Sequence, residues 1–97
     1  MRTIQNLVDT YWVSDDRQVK VDFDPKHIDV FIFGNGTMEF RTEQVKNGDD
    51  SLLLVTKNYL RETTTFGVKF IDDSKIIFAF DGQEKVLQGH KKQIAVV

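Results

Sequence analysis

Three aspartate doublets, Asp15-Asp16, Asp49-Asp50 and Asp72-Asp73, are the residues of this chain whose type and spacing first suggest chemistry. Paired carboxylates hold cations or do acid–base work when they converge on one cleft. Each doublet here falls between apolar stretches, where aspartate bonds its own backbone and shapes turns. None sits in the alternating acidic run, closed by a bidentate glutamate, that makes a calcium loop. His27 and His90 are the only histidines, with no His-x-His spacing, so no metal site is expected. Ser14, Ser51 and Ser74 lie beside turn residues, and no glycine-flanked serine elbow occurs. Gly34-Asn35-Gly36 is too short for a dinucleotide fingerprint and leads into an alternating stretch instead of a helix. It reads as a hairpin turn. The expectation is no catalytic residue, no cofactor and no enzymatic activity.

Composition narrows the classes further. With 97 residues, 40% hydrophobic and 29% charged, the chain has the make-up of one ordinary globular domain spanning 1–97. Cysteine is absent, which excludes disulfides, thiolate nucleophiles and cysteine zinc sites. The opening "MRTIQNLVDTYWV" lacks the apolar core of a signal peptide, and no stretch approaches the ~18 apolar residues of a membrane span. A cytoplasmic protein without membrane contact is the expectation. A net charge of −2 exerts no general pull on nucleic acid.

The elements that must position any site are strands. In "RQVKVDFD" (17–24), Val19, Val21 and Phe23 alternate with Lys20 and Asp22, the pattern of a half-buried strand. "HIDVFIF" (27–33) carries Ile28, Val30 and Ile32 on one face and Phe31 and Phe33 on the other. Met38 and Phe40 alternate with Thr37, Glu39 and Arg41. Asn47-Gly48 predicts a type I′ hairpin turn. "SLLLVTKNYL" (51–60), "TTTFGVKFI" (63–71), "KIIFAFD" (75–81), "EKVLQ" (84–88) and, after a break at Gly89, "KQIAVV" (92–97) complete about eight strands. "MRTIQNLVDT" spaces Ile4, Leu7 and Val8 as one helical turn leading into Tyr11-Trp12. Strands this short with turns this frequent predict an all-β antiparallel meander, closed as a small up-and-down barrel.

"NLVDTYWVSDDRQVKVDFD" and "VKFIDDSKIIFAFDGQEKVL" together resemble the small bacterial lipocalin-like (calycin-type) domains. The resemblance implies a barrel with Trp12 plugging one end and Gly36-Thr37 opening a middle strand. It also implies a carrier of a small apolar ligand, for which Trp12, Val21, Phe23, Met38, Phe40, Phe78 and Phe80 would line the interior. An eight-stranded barrel is just wide enough to be filled by such side chains or to hold one small ligand.

The residues themselves favour a different class. Two apolar faces on the strand of Phe31 and Phe33 suggest that one meets another protein or a second copy of this chain. Tyr59 and Arg61 extend that candidate partner-binding set. A compact binder or inhibitor of another protein, of the kind found among bacterial and phage accessory proteins, is the leading expectation. A single-stranded nucleic-acid barrel is the last alternative. Lys20, Arg41, Lys57, Arg61 and Lys69 would supply charge, and Tyr11, Tyr59 and Phe66 stacking. Asp22, Glu39, Glu43 and Glu62 share the same outward positions and dilute that charge.

Overall fold

The computed structural model describes residues 2–91. A four-residue helix, α1 (Gln5–Val8), precedes the strands β1 (Thr10–Ser14), β2 (Val19–Phe23), β3 (His27–Ile32) and β4 (Gly36–Asn47). These are followed by β5 (Ser51–Lys57), β6 (Thr63–Asp72), β7 (Lys75–Phe80) and β8 (Gln83–Lys91). Each strand pairs antiparallel with the next, and β8 returns to pair with β1, closing an all-β up-and-down barrel. Closure leaves no free outer edge along most of the sheet, which removes the usual template for aggregation. Among the described residues no helix is long and apolar enough to cross a membrane.

Period-two patterning decides which side chains point inward. Val21, Val30 and Met38 stand opposite one another on β2, β3 and β4, as do Phe23, Ile28 and Phe40, all on the inner face. Lys20, Phe31 and Thr37 form the neighbouring outer row. The core gathers Trp12, Val19, Val21, Phe23, Ile28, Val30, Leu52, Leu54, Phe66, Val68, Phe70, Ile76, Phe78 and Leu87. Burying each such large side chain stabilises the fold by about 1.5–3 kcal/mol before the entropy of ordering is subtracted.

Because successive strands alternate in direction, the connections sort to two ends. The helix α1 and the β2–β3, β4–β5 and β6–β7 connections gather at one, hereafter the plugged end. The β1–β2, β3–β4, β5–β6 and β7–β8 connections gather at the other, the rim. Every residue with positive φ among those described lies at the rim: Arg17, Gly34, Gly36, Arg61, Asp81 and Gly82.

Four sequence expectations need correction. Trp12 does not merely follow a helical turn but lies within β1, and this strand brings the number to eight. The strand expected over 92–97 lies outside the described residues. Gly89 does not break a strand; it sits inside β8, opposite Trp12. A Cβ there would lie 2.8 Å from the Trp12 ring and 2.8 Å from Thr10 Cγ2. Glycine marks a close approach in the ladder here, not a turn. β5 stops at Lys57, short of Leu60, because Asn58 bends the chain. The Asn47-Gly48 connection turns where expected but without the positive φ of a type I′ turn. Gly48 N–H donates to Ser51 O at 2.7 Å, and Asp49-Asp50 form the bend.

Candidate functional site

The plugged end leaves little for a ligand to enter. Trp12 is fully buried and its Nε1–H donates to Leu7 O at 3.2 Å, so the indole and the buried Leu7 of α1 close the barrel together. Arg2 lies over the Phe70 ring at 4.9 Å and ion-pairs with Asp73, fastening the lead-in to the β6–β7 hairpin. Asp72 accepts from Ser74 N–H at 2.8 Å and from its hydroxyl at 3.1 Å, with the backbone bond the first cause of its lowered pKa.

Of the residues named from sequence as ligand-lining, Phe23, Phe78 and Phe80 meet ring to ring, and Phe66 links Phe40 to them. Phe78 is the hub: its centroid lies 5.3 Å from Phe66 in a stack, 6.0 Å from Phe23 edge-on and 5.4 Å from Phe80. Phe40 meets Phe66 edge-on at 5.0 Å. Such pairs add about 0.5–1.5 kcal/mol each beyond their burial. Phe80 is half-buried at the rim end of β7. Met38 departs from the expectation: it shares the inner face with Val30 yet is 38% exposed, because no strand covers its other flank. Phe66 departs too. Named as a stacking surface in the nucleic-acid alternative, it is buried with Val68 and Phe70 on the inner face of β6, against Leu54 and the ring cluster. Tyr11, the other proposed stacker on the early strands, already stacks on His90 at 5.3 Å.

The rim is built differently. Here stand the three most exposed large apolar side chains among the described residues: Tyr59 at 90%, Phe33 at 66% and Leu60 at 61%. Phe31 is half-buried on the outer wall beneath Lys20, whose ammonium lies 5.7 Å from the ring centroid. The β1–β2 turn is fixed by Asp16. Its carboxylate accepts from Ser14 Oγ at 2.6 Å, Gln18 N–H at 3.0 Å and Lys85 Nζ at 3.0 Å. These bonds, Ser14 foremost, hold its pKa down to about 2. The aspartate doublet is thus a turn device, as its place between strands predicts.

A notch opens beside β4. Its pairing with β3 covers Gly36–Arg41, whereas its pairing with β5 begins only at Arg41↔Lys57. Thr42 N–H donates to Lys26 O at 2.8 Å, toward β3. Backbone groups in an antiparallel strand alternate sides, so those of Phe40 and Met38 also face β3 while those of Thr37 and Glu39 face the notch. A groove of about 620 Å³ runs there, lined by the consecutive residues Thr37 to Arg41 and, across from them, by Lys57, Asn58, Tyr59 and Arg61. Side chains from both faces of β4 line it, so the space follows the strand's edge. The far wall is stiff: Asn58 Oδ1 accepts from Leu60 N–H at 2.9 Å and Glu62 N–H at 3.0 Å, and Arg61 takes a left-handed conformation at φ 64°. Sequence reasoning named Tyr59, Arg61, Met38 and Phe40 but assigned them to two different sites. The groove brings them together.

One further cluster was hidden from sequence because it depends on register. Asp22, Asp29 and Glu39 stand in one cross-strand row on the outer wall. His27 joins it, with Nδ1 3.6 Å from Asp24 and Nε2 3.9 Å from Asp29. Donor atoms of His27, Asp29 and Glu39 fall within 4.8 Å of one another, the group among the described residues that a divalent cation could bridge. Desolvation, then the like charges of Glu39, Asp22 and Asp24 against the opposing His27, raises the Asp29 pKa.

With this geometry in view, the comparisons with known proteins add no relative: no family model, curated protein or solved structure matches the chain. The eight-stranded antiparallel barrel is consistent with a calycin-type barrel, and no family relationship is shown.

Proposed function

We propose that this protein is a non-catalytic protein-binding module whose rim engages another protein. The observation that carries the reading is the concentration of Phe33, Tyr59 and Leu60 on loops at one end, all more than 60% exposed. Large apolar side chains held out in this way are worth most when a partner removes them from water. Aromatic residues with arginine neighbours, here Tyr59 beside Arg61, are the types that most often anchor interfaces. The rings along the barrel axis contact one another, so a carrier function would require an apolar ligand to part them.

The test pairs a rim variant with a wall control. Tagged protein is recovered from the extract of its own host, beside Phe33→Asp/Tyr59→Asp and, as control, Ile71→Asp near the plugged end. A stoichiometric partner retained by the control and lost from the rim variant supports the reading. A partner held equally by all three, or no protein retained with an apolar small molecule carried instead, sinks it. Native mass spectrometry reads all of these outcomes.

A further inference from the structure

We infer that the free edge of β4 takes up an extended segment of the partner polypeptide as an added strand, lying in line with β5. The inference rests on the protein-binding reading and specifies what the rim recognises. Thr37 and Glu39 each present an N–H and a C=O toward the groove, and no strand among the described residues pairs with them there. Backbone groups are obligatory hydrogen-bonding groups, and a strand edge satisfies them by recruiting another strand. The unpaired stretch Gly36–Phe40 runs about 17 Å, enough for a five-residue segment. Antiparallel addition is the better geometry, since it continues the pairing that β5 makes from Arg41 onward.

The side chains indicate what the segment carries. Met38 and Phe40 line the inner side of the groove, so alternate residues of the occupant meet an apolar surface. Arg41, Lys57 and Arg61 outnumber Glu39 and Glu43 among the lining charges. The fitting occupant therefore alternates apolar with acidic residues and has no proline at its centre, where a donor is needed. A second copy of this chain fits poorly. In every copy the Asn58–Arg61 wall stands across from the β4 edge, so two such edges cannot reach the ~4.8 Å spacing of neighbouring strands without displacing both walls. A pre-formed wall also lowers the ordering cost of binding, because Asn58 already fixes the loop.

The experiment uses a displayed library of random twelve-residue peptides, selected on the intact protein. The selected peptides are expected to share the apolar–acidic alternation. On binding they should slow amide exchange at Thr37 and Glu39. A synthetic copy of the best peptide, N-methylated at alternate residues of its core, keeps its side chains but loses its donors, and should bind roughly tenfold or more weakly. Glu39→Pro removes a donor facing the groove without touching the bonds to β3, and should weaken binding comparably. Should that variant unfold, Tyr59→Asp/Arg61→Glu tests the opposite wall on an intact edge. Three results overturn strand addition: no peptide is selected, the N-methylated peptide binds as well as its parent in either methylation phase, or protection appears at Phe33 and Leu60 but not at Thr37 and Glu39. The last leaves the rim as a protein-binding surface. If rim variants also fail to alter partner capture, the wider reading falls with it.

Discussion

The two ends of this barrel solve opposite problems with the same strand count. At the plugged end, Trp12, Leu7 and Gly89 close the space, and a four-residue helix spends its one buried side chain on that closure. At the rim, β5 stops early, β4 keeps β3 as its one strand neighbour, and every left-handed residue among those described is found in or beside the connections. A non-glycine residue in that conformation costs about 1–2 kcal/mol, and Arg17, Arg61 and Asp81 all adopt it. The contrast teaches where the fold draws its stability and where it accepts strain to hold a loop in place. The plugged end is optimised for burial. The rim keeps apolar side chains and backbone groups in water.

Trp12→Ala tests this contrast most severely. Removing a fully buried indole from the plug should lower stability by about 3–5 kcal/mol, whereas Tyr59→Ala at the rim should stay within about 0.5 kcal/mol of the parent. Urea unfolding followed by far-ultraviolet circular dichroism measures both, and similar losses would break the comparison. Gly89→Ala comes next. Its methyl group collides with the Trp12 ring and Thr10, so a loss of about 1–3 kcal/mol is expected. The loss should shrink when Trp12 is first replaced by Phe, because the two sites share one space.

Asn58→Ala sharpens the other side. It removes the acceptor for Leu60 and Glu62 N–H, and should lower stability by only about 1 kcal/mol. Partner binding should weaken more than that loss explains, since the groove wall loses its fixed shape. Calorimetric titration with the captured partner, set beside the unfolding curve, separates the two effects.

The smallest effects are in the pH profile. Asp16 has a folded pKa of about 2 against 3.8 for the free group, so its contribution is present above pH 4 and is lost as pH falls toward 2. Asp16→Asn should flatten the acid limb of the stability curve. Asp29 has the opposite sign: its raised pKa means the ionised form is disfavoured in the fold, and protonation on acidification relieves first the desolvation of the carboxylate and then its repulsion by Glu39, Asp22 and Asp24. Asp29→Asn should therefore raise stability slightly at neutral pH. Thermal unfolding between pH 2 and 7 reads both slopes, and a parent-like profile for either variant would remove that residue from the account.

Much of the architecture was legible in the sequence because period-two burial is a local signal. β2, β3 and β7 alternate as read, and Gly34 and Gly36 turn the chain with φ of 89° and 81°. Where the reading failed, the deciding partner was distant in sequence. Gly89 looked like a turn residue because glycine usually is one; only its pairing with Trp12 across the closure shows that β8 needs the missing Cβ. Met38 and Phe40 were rightly placed on an inner face, but nothing local announces that β5 will end before covering Met38. The groove combines residues from two candidate sets for the same reason. Register and strand length belong to pairs of strands, and one sequence gives only single strands.

The seam between β1 and β8 has a consequence for how the chain folds. The other seven strand pairs are hairpins between neighbours, while this one joins Thr10 to Lys91. Closing it confines nearly the whole described chain at once, the strand pairing with the greatest loop-closure penalty among the described residues. The sole tryptophan sits in that seam, facing Gly89. Its emission therefore reports on barrel closure together with the β1–β2 hairpin, in which Trp12 stands opposite Val21. Stopped-flow fluorescence timed against backbone circular dichroism would show whether the meander assembles before the ring shuts or the two arrive together.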